Sequence, residues 1–140
     1  MKIAFDTNVI LDAMIRREDW EVAEALILAV SEDKAEGVIT ANTVTDIYYL
    51  TRKRLGDQKT REAIWNLMSL FEIAPVDEKV CLDALATPMK DFEDAVMAVA
   101  AKRVGAEIVV TRDEGFLSEG NAPIRAVSPK EAMEIVNGKT

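Results

Sequence analysis

The sequence predicts an α/β domain built around a parallel sheet, and two observations carry that prediction. Short, strongly β-prone apolar runs alternate with longer segments whose apolar residues recur every three or four positions, and no repeat, low-complexity stretch or linker interrupts the alternation. With 140 residues, 49% of them hydrophobic, the chain suits one domain with a substantial core, spanning residues 1–140. Successive parallel strands would then be joined by helices in right-handed crossovers.

Taken in order, Ile3, Ala4 and Phe5 form a first buried strand, which Asp6 ends. Asn8 and Asp12 occupy polar positions while Val9, Ile10 and Leu11 restart the apolar pattern as a short helix. Residues 20–35 set Val22, Ala23, Leu26, Ile27 and Val30 on one helical face, with Asp19 as a cap and Gly37 as the stop before a second strand at Val38 and Ile39. The helix predicted over 42–55 turns Val44, Ile47 and Tyr48 inward and ends in Arg52, Lys53 and Arg54, where Gly56 and Asp57 break it. The next, over 59–71, buries Ile64, Leu67, Met68 and Phe71 with Trp65 beside that face. Residues 72–76 read as a third strand that Pro75 pushes toward an edge. A short helix over 78–86 is stopped by Thr87 and Pro88, and its Cys81 reads as core with Val80, Leu82 and Leu85. The helix from Lys90 is the most buried, because residues 95–101 (AVMAVAA) are apolar on every face, and Gly105 ends it. Residues 108–111 suit a central parallel strand and a short turn with Phe116 and Leu117 follows. Residues 124–127 make a last strand, and Pro129 opens a final helix with Ala132, Met133, Ile135 and Val136.

Composition removes several classes of chemistry. The chain has no histidine, which excludes Ser-His-Asp and Cys-His triads, histidine general bases and the usual zinc sites. Catalysis would rest on carboxylates, hydroxyls, lysine, a cofactor or a hard metal. A formal charge of −8 argues against a surface that grips nucleic acid everywhere, and leaves room for a local basic rim beside an acidic pocket. The single cysteine forms no internal disulfide. Without a membrane-length apolar run or a signal-peptide pattern, the expected location is the cytoplasm.

Four acids stand where this layout has no structural need of them. Asp6 ends the first strand, Asp46 lies inside an amphipathic helix, Asp94 opens the all-apolar helix and Asp113 follows the strand-like IVVT. Carboxyl ends of parallel strands open onto the ligand crevice of α/β sheets. If these acids converge there, their repulsion calls for protonation or a cation, and an all-oxygen donor set favours Mg²⁺ or Mn²⁺. Each acid also has a local explanation: Asp6 and Asp113 as cap and turn residues, Asp46 as a solvated helix position, Asp91 and Asp94 as a charged first turn. It is the set of four, on four different elements, that points to a site; Asp91 reads as a cap with a supporting role.

The segments DTNVILD at Asp6, TANTVTDIYYL at Asp46, DFEDAVMAVAA at Asp94 and VVTRDEGF at Asp113 resemble, in order and spacing along nearly the whole chain, the four acidic motifs of PIN-domain ribonucleases. In length the chain resembles the VapC-type toxins of prokaryotic toxin–antitoxin pairs. That resemblance implies a three-layer α/β/α fold with a central, mostly parallel sheet, and Mg²⁺- or Mn²⁺-dependent cleavage of RNA to 5′-phosphate and 3′-hydroxyl ends. It implies that Asp6, Asp94 and Asp113 are metal-site acids and that Asp46 stands where the family usually has Glu, a shorter arm that reaches less far. Asn8 and Thr111 match polar positions beside the acids, where they would orient ligands or water or make local turn hydrogen bonds. Arg112 and the Arg52, Lys53, Arg54 run are candidates for holding the RNA backbone; the run would equally complement its helix dipole.

Expected partners are RNA, a cognate antitoxin and a second copy of the chain, since Val9, Ile10, Met14, Tyr48 and Tyr49 offer apolar surface beyond what a small sheet covers, although core packing explains most of them equally well. The competing readings are an RNA-binding or interaction domain of this fold without catalysis, and a housekeeping RNA-processing nuclease. A haloacid dehalogenase-type phosphatase would want a second Asp where Asn8 stands.

Overall fold

The computed structural model describes residues 1–138. Its strands are β1 (Lys2–Phe5), β2 (Glu36–Thr40), β3 (Phe71–Ala74), β4 (Ile108–Val110) and β5 (Arg125–Val127), which form one sheet in the order β3-β2-β1-β4-β5. Every pairing is parallel. The strands are short and apolar because both faces of the sheet are covered, as crossover helices require.

Side chains alternate along each strand and so divide the core in two. Ile3, Phe5, Ile39, Phe71, Ile108 and Val110 face one layer, made by α1 (Thr7–Ile15), α2 (Trp20–Ser31), α3 (Ala41–Leu55), α4 (Asp57–Leu70) and α8 (Pro129–Val136). Phe5 and Phe71 meet edge to face there, with ring centroids 5.1 Å apart. Ala4, Val38, Ala74 and Val109 face the other layer, made by α5 (Glu78–Ala86), α6 (Phe92–Arg103) and α7 (Glu114–Leu117). The run from Ala95 to Ala101 is buried throughout, as its uniform apolarity predicts; its small residues let α6 lie close against a face that also carries alanines. The result is a three-layer α/β/α sandwich with an all-parallel five-stranded sheet.

Several boundaries fall elsewhere than the sequence suggests. The opening helix is longer than Val9 to Leu11, and Val9 and Ile10 are fully buried, so they supply core and not docking surface. Helix α2 stops at Ser31, and the chain turns through a left-handed Asp33. Gly37 is not a helix stop but a strand residue: a Cβ on it would stand 2.6 Å from two carbons of the Phe71 ring, so glycine is what lets that ring lie on the sheet. Phe71 begins β3 instead of ending α4, and Pro75 follows the strand, which is an edge. Asp19 takes the cap position of α2 but makes no side-chain capping bond. Met68, Trp65, Leu82 and Leu85 are exposed and Cys81 is half-buried, because α4 and α5 each bury only one narrow stripe, Thr60 and Leu67 on α4 and Val80 and Ala84 on α5. Among the described residues no helix is long and apolar enough to cross a membrane.

Candidate active site

Chain order in the sheet reverses beside β1: β1, β2 and β3 step outward one way, and β4 returns to the other flank of β1. The crevice of a doubly wound sheet opens at such a switch point, beyond the carboxyl ends of the strands. The register there pairs Phe5 with Val110, so the next residues, Asp6 and Thr111, emerge side by side. The Asp6 N–H donates to the Val110 carbonyl at 2.9 Å, continuing the ladder up to the site.

Asp6 and Asp113 are fixed by the helices they start, and Asp94 by the cap of its own helix. Asp6 caps α1, its Oδ1 accepting from the Thr7 N–H at 2.8 Å. Its Oδ2 accepts from the Thr111 hydroxyl at 2.7 Å and from the Asn8 amide at 3.4 Å. The same Thr111 hydroxyl accepts the Asp113 N–H at 3.0 Å, so one buried hydroxyl ties Asp6 to Asp113. Asp113 caps α7 through the Gly115 N–H at 3.1 Å. Asp91 caps α6, accepting from the Asp94 N–H at 3.0 Å, which presents Asp94 one turn into that helix. The capping roles and the site share residues: each of these capped helix starts stands at the pocket, which Asp6, Asp91, Asp94 and Asp113 line.

Asp6, Asp46, Asp94 and Asp113 line one open pocket of about 690 Å³, with Asp91, Glu93 and Glu114 on the same wall. Asp46 reaches it from α3 and is exposed. That helix is set by a chain of hydroxyls, in which Thr43 Oγ1 lies 2.9 Å from Thr7 and 3.1 Å from Thr40. Burial and then crowding act on two of these acids. Asp94 is pushed up to about 7, by partial burial first and then by the charges of Asp91, Asp6, Asp113 and Glu93. Burial also raises Asp6 against the lowering effect of its Thr111 and Thr7 hydrogen bonds.

The donor set is all oxygen and overcharged, which suits a hard divalent cation. Side chains do not close on a common point in this conformation: among the described residues no three acidic or thiol groups stand close enough to hold an ion together. Asp6 and Asp113 are turned instead onto hydroxyl and backbone donors.

Of the predicted basic contacts, only Arg112 lines the pocket. Arg52 lies over the rings of Tyr49 and Tyr48 at 5.2 and 5.9 Å, and Lys53 and Arg54 follow it at the far end of α3, outside the pocket wall. Arg112 grips Asp12 with two bonds, from Nε at 2.6 Å and Nη2 at 2.9 Å. Asp12 is 1% exposed and also accepts from Arg17 Nε at 3.1 Å. Sequence reading assigns no role to Asp12 and does not mark Arg17. The available signal was an Asp directly after the buried Val9, Ile10 and Leu11, one turn beyond Asn8, where a charge inside the protein demands a partner.

A PIN-domain family model matches residues 2–115. Ribonuclease VapC1 from Aquifex aeolicus (strain VF5) is 26% identical over 123 residues, covering 84% of this chain and 85% of the relative. Among solved structures, VapBC2 from Rickettsia felis bound to a promoter DNA fragment is similar with a TM-score of 0.66 and 15% identity, over 91% of this chain and 98% of that one. A toxin–antitoxin complex from Klebsiella pneumoniae gives 0.66 with 21% identity, over 91% and 97%. These structural likenesses bear on the fold. The matched stretch runs from β1 into α7 and takes in every acid of the pocket, and on that ground the chain belongs to the PIN-domain family.

Proposed function

We propose that this pocket hydrolyses RNA phosphodiester bonds with Mg²⁺ or Mn²⁺, and that the chain is the toxin half of a cytoplasmic toxin–antitoxin pair. The observation that carries the reading is the gathering of Asp6, Asp94 and Asp113 at the sheet's switch point, in an acidic wall where partial burial and then the neighbouring charges lift the Asp94 carboxyl to about 7. A wall of that charge is relieved by a bound cation. Family membership and the ribonuclease named among its relatives support RNA as the substrate class.

Asp6, Asp94 and Asp113 would hold the ion, with Asp46 reaching it from α3 by its shorter arm, directly or through water. The ion would lower the pKa of a bound water and polarise the scissile phosphate. Thr111 and Asn8 keep Asp6 oriented, Thr111 also fixes the Asp113 backbone, and Asp91 holds the first turn of α6 so that Asp94 faces the crevice. Arg52, Lys53 and Arg54 would meet RNA only where it runs past α3, beyond the pocket.

An antitoxin partner is supported by the solved relatives that are toxin–antitoxin complexes. Tyr49, Trp65 and Met68 expose an apolar face on α3 and α4, which suits a homodimer contact and would be seen as a doubled mass in sedimentation. The nuclease reading is tested with purified protein and a panel of transfer, ribosomal and messenger RNAs, with Mg²⁺, Mn²⁺ or chelator, beside Asp6→Asn. Metal-dependent cutting absent from the variant supports it. No cutting together with no calorimetric Mn²⁺ binding refutes it and leaves a binding domain.

A further inference from the structure

RNA is a polyanion, and the wall proposed to cut it is lined mainly by carboxylates, so something in the pocket must offset the repulsion of the strand. Among the described residues lining it, the cations are Arg17 and Arg112. They are not placed independently. Helix α1 ends at Ile15 and its cap, Arg16, lies in the left-handed region (φ 50°), which folds the chain back so that the Arg17 N–H meets the Asp12 carbonyl at 3.1 Å. The Arg17 side chain then returns along the helix to the Asp12 carboxylate and, through Nη2, to the Asn8 carbonyl at 3.3 Å. Arg112 arrives from the strand after Thr111, places its fork on the same carboxylate and, through its own N–H, touches Asn8 Oδ1 at 3.4 Å.

Charge and exposure follow from this arrangement. One buried carboxylate is shared by two guanidiniums, so one positive charge is left over at the pocket wall. Asp12 is 1% exposed, whereas the Arg17 and Arg112 side chains are 35% and 31% exposed, with donors not spent on Asp12 or Asn8. Guanidiniums fixed in this way lose little freedom on meeting a phosphate and can offer it a forked set of N–H groups.

We propose that Arg17 and Arg112, locked side by side by the buried Asp12, form a seat for a backbone phosphate of the RNA next to the one that is cut. The seat rests on the ribonuclease reading and adds to it a binding site that the acids alone do not provide. Asp12 is its positioning residue and touches no substrate.

The seat is tested with the full chain and a fluorescent single-stranded RNA oligonucleotide, in chelator so that it stays intact, by anisotropy over a range of salt. Arg17→Gln is expected to weaken binding about tenfold. It should also flatten the dependence of log K on log salt by about 0.7, one phosphate's worth for a single strand. The heat of Mn²⁺ binding should not change. Arg17→Lys keeps a charge on Asp12 and should keep the salt slope while recovering only part of the affinity, because an ammonium has no fork. If Arg17→Gln loses its fold, the Lys variant carries the test, and affinity equal to wild type overturns the seat. Unchanged affinity and slope in Arg17→Gln, with wild-type protein still cutting RNA, refute the seat and leave the nuclease standing. Wild-type protein that neither binds nor cuts RNA refutes the nuclease reading, and the seat with it.

Discussion

Replacing Asp94 with Asn should stabilise the metal-free protein, an unusual outcome for a residue of the candidate site. A carboxyl held at about 7 in the folded chain binds its proton more tightly there than in the unfolded chain, where it titrates near its ordinary value. Below about pH 4 the group is protonated in both states and contributes nothing. Between about pH 4 and pH 7 the unfolded chain has given up the proton while the folded chain keeps it, so stability falls across that window and is lowest above about 7, where the folded state carries the charge partly buried and beside Asp91, Asp6, Asp113 and Glu93. The full linkage would be about 4 kcal/mol, but Asp94 is half open to solvent, and screening reduces the expected penalty to about 1–2 kcal/mol. For a chain of this length that is a rise in Tm of about 3–7 °C for Asp94→Asn. The assay is thermal unfolding followed by circular dichroism in chelator at pH 8 and again at pH 4, where the difference should close. Adding Mn²⁺ at pH 8 should reverse the order, because only the wild type gains binding free energy. Equal or lower stability of Asp94→Asn in chelator at pH 8 would refute the picture of a repulsive, under-compensated cluster.

Other perturbations separate the supporting parts. Asp12→Asn removes the charge that both arginines share and should cost about 2–3 kcal/mol in urea unfolding, at the lower end for a broken buried ion pair because both partners can rehydrate. Thr111→Val removes the hydroxyl that favours the charged form of Asp6, so the acid limb of the pH–rate profile should move to higher pH, with a stability loss of about 1–2 kcal/mol. Gly37→Ala drives a methyl into the buried Phe71 ring and should cost about 1–3 kcal/mol, regained in part by Phe71→Leu; a neutral Gly37→Ala would contradict the packing described for β2 and β3.

The layout was legible where one physical signal dominated. Runs such as Ile3 to Phe5 and Ile108 to Val110 declare buried parallel strands, and a segment apolar on every face, such as 95–101, has nowhere to go but the core. The acids were legible because each ends a strand, starts a helix or lies on one whose apolar face is otherwise continuous. Features fixed by tertiary packing were not. Gly37 carries a turn signal by composition, yet it is glycine because an aromatic ring from the neighbouring strand lies on it. Met68 and Trp65 keep helical spacing with Ile64 and Leu67 but lie past the edge of the stripe that meets the sheet. In the sequence Arg112 reads as a candidate for holding the RNA backbone beside Asp113, whereas in the fold Asp12, a hundred residues earlier, holds its guanidinium on the pocket wall. No local pattern announces a pairing over that distance. Asp12 shows only the negative half of it, a charge in an apolar run.

The most direct test of the central claim is the chemistry of the cut ends. RNA cleaved by the wild-type protein with Mn²⁺ should carry 5′-phosphate and 3′-hydroxyl termini, and neither chelator-treated protein nor Asp6→Asn should produce them. Ends bearing 2′,3′-cyclic phosphate would mean that the RNA's own hydroxyl attacks in place of water, and cutting that survives chelation would mean that no metal is needed; either would contradict the role given to Asp6, Asp94 and Asp113.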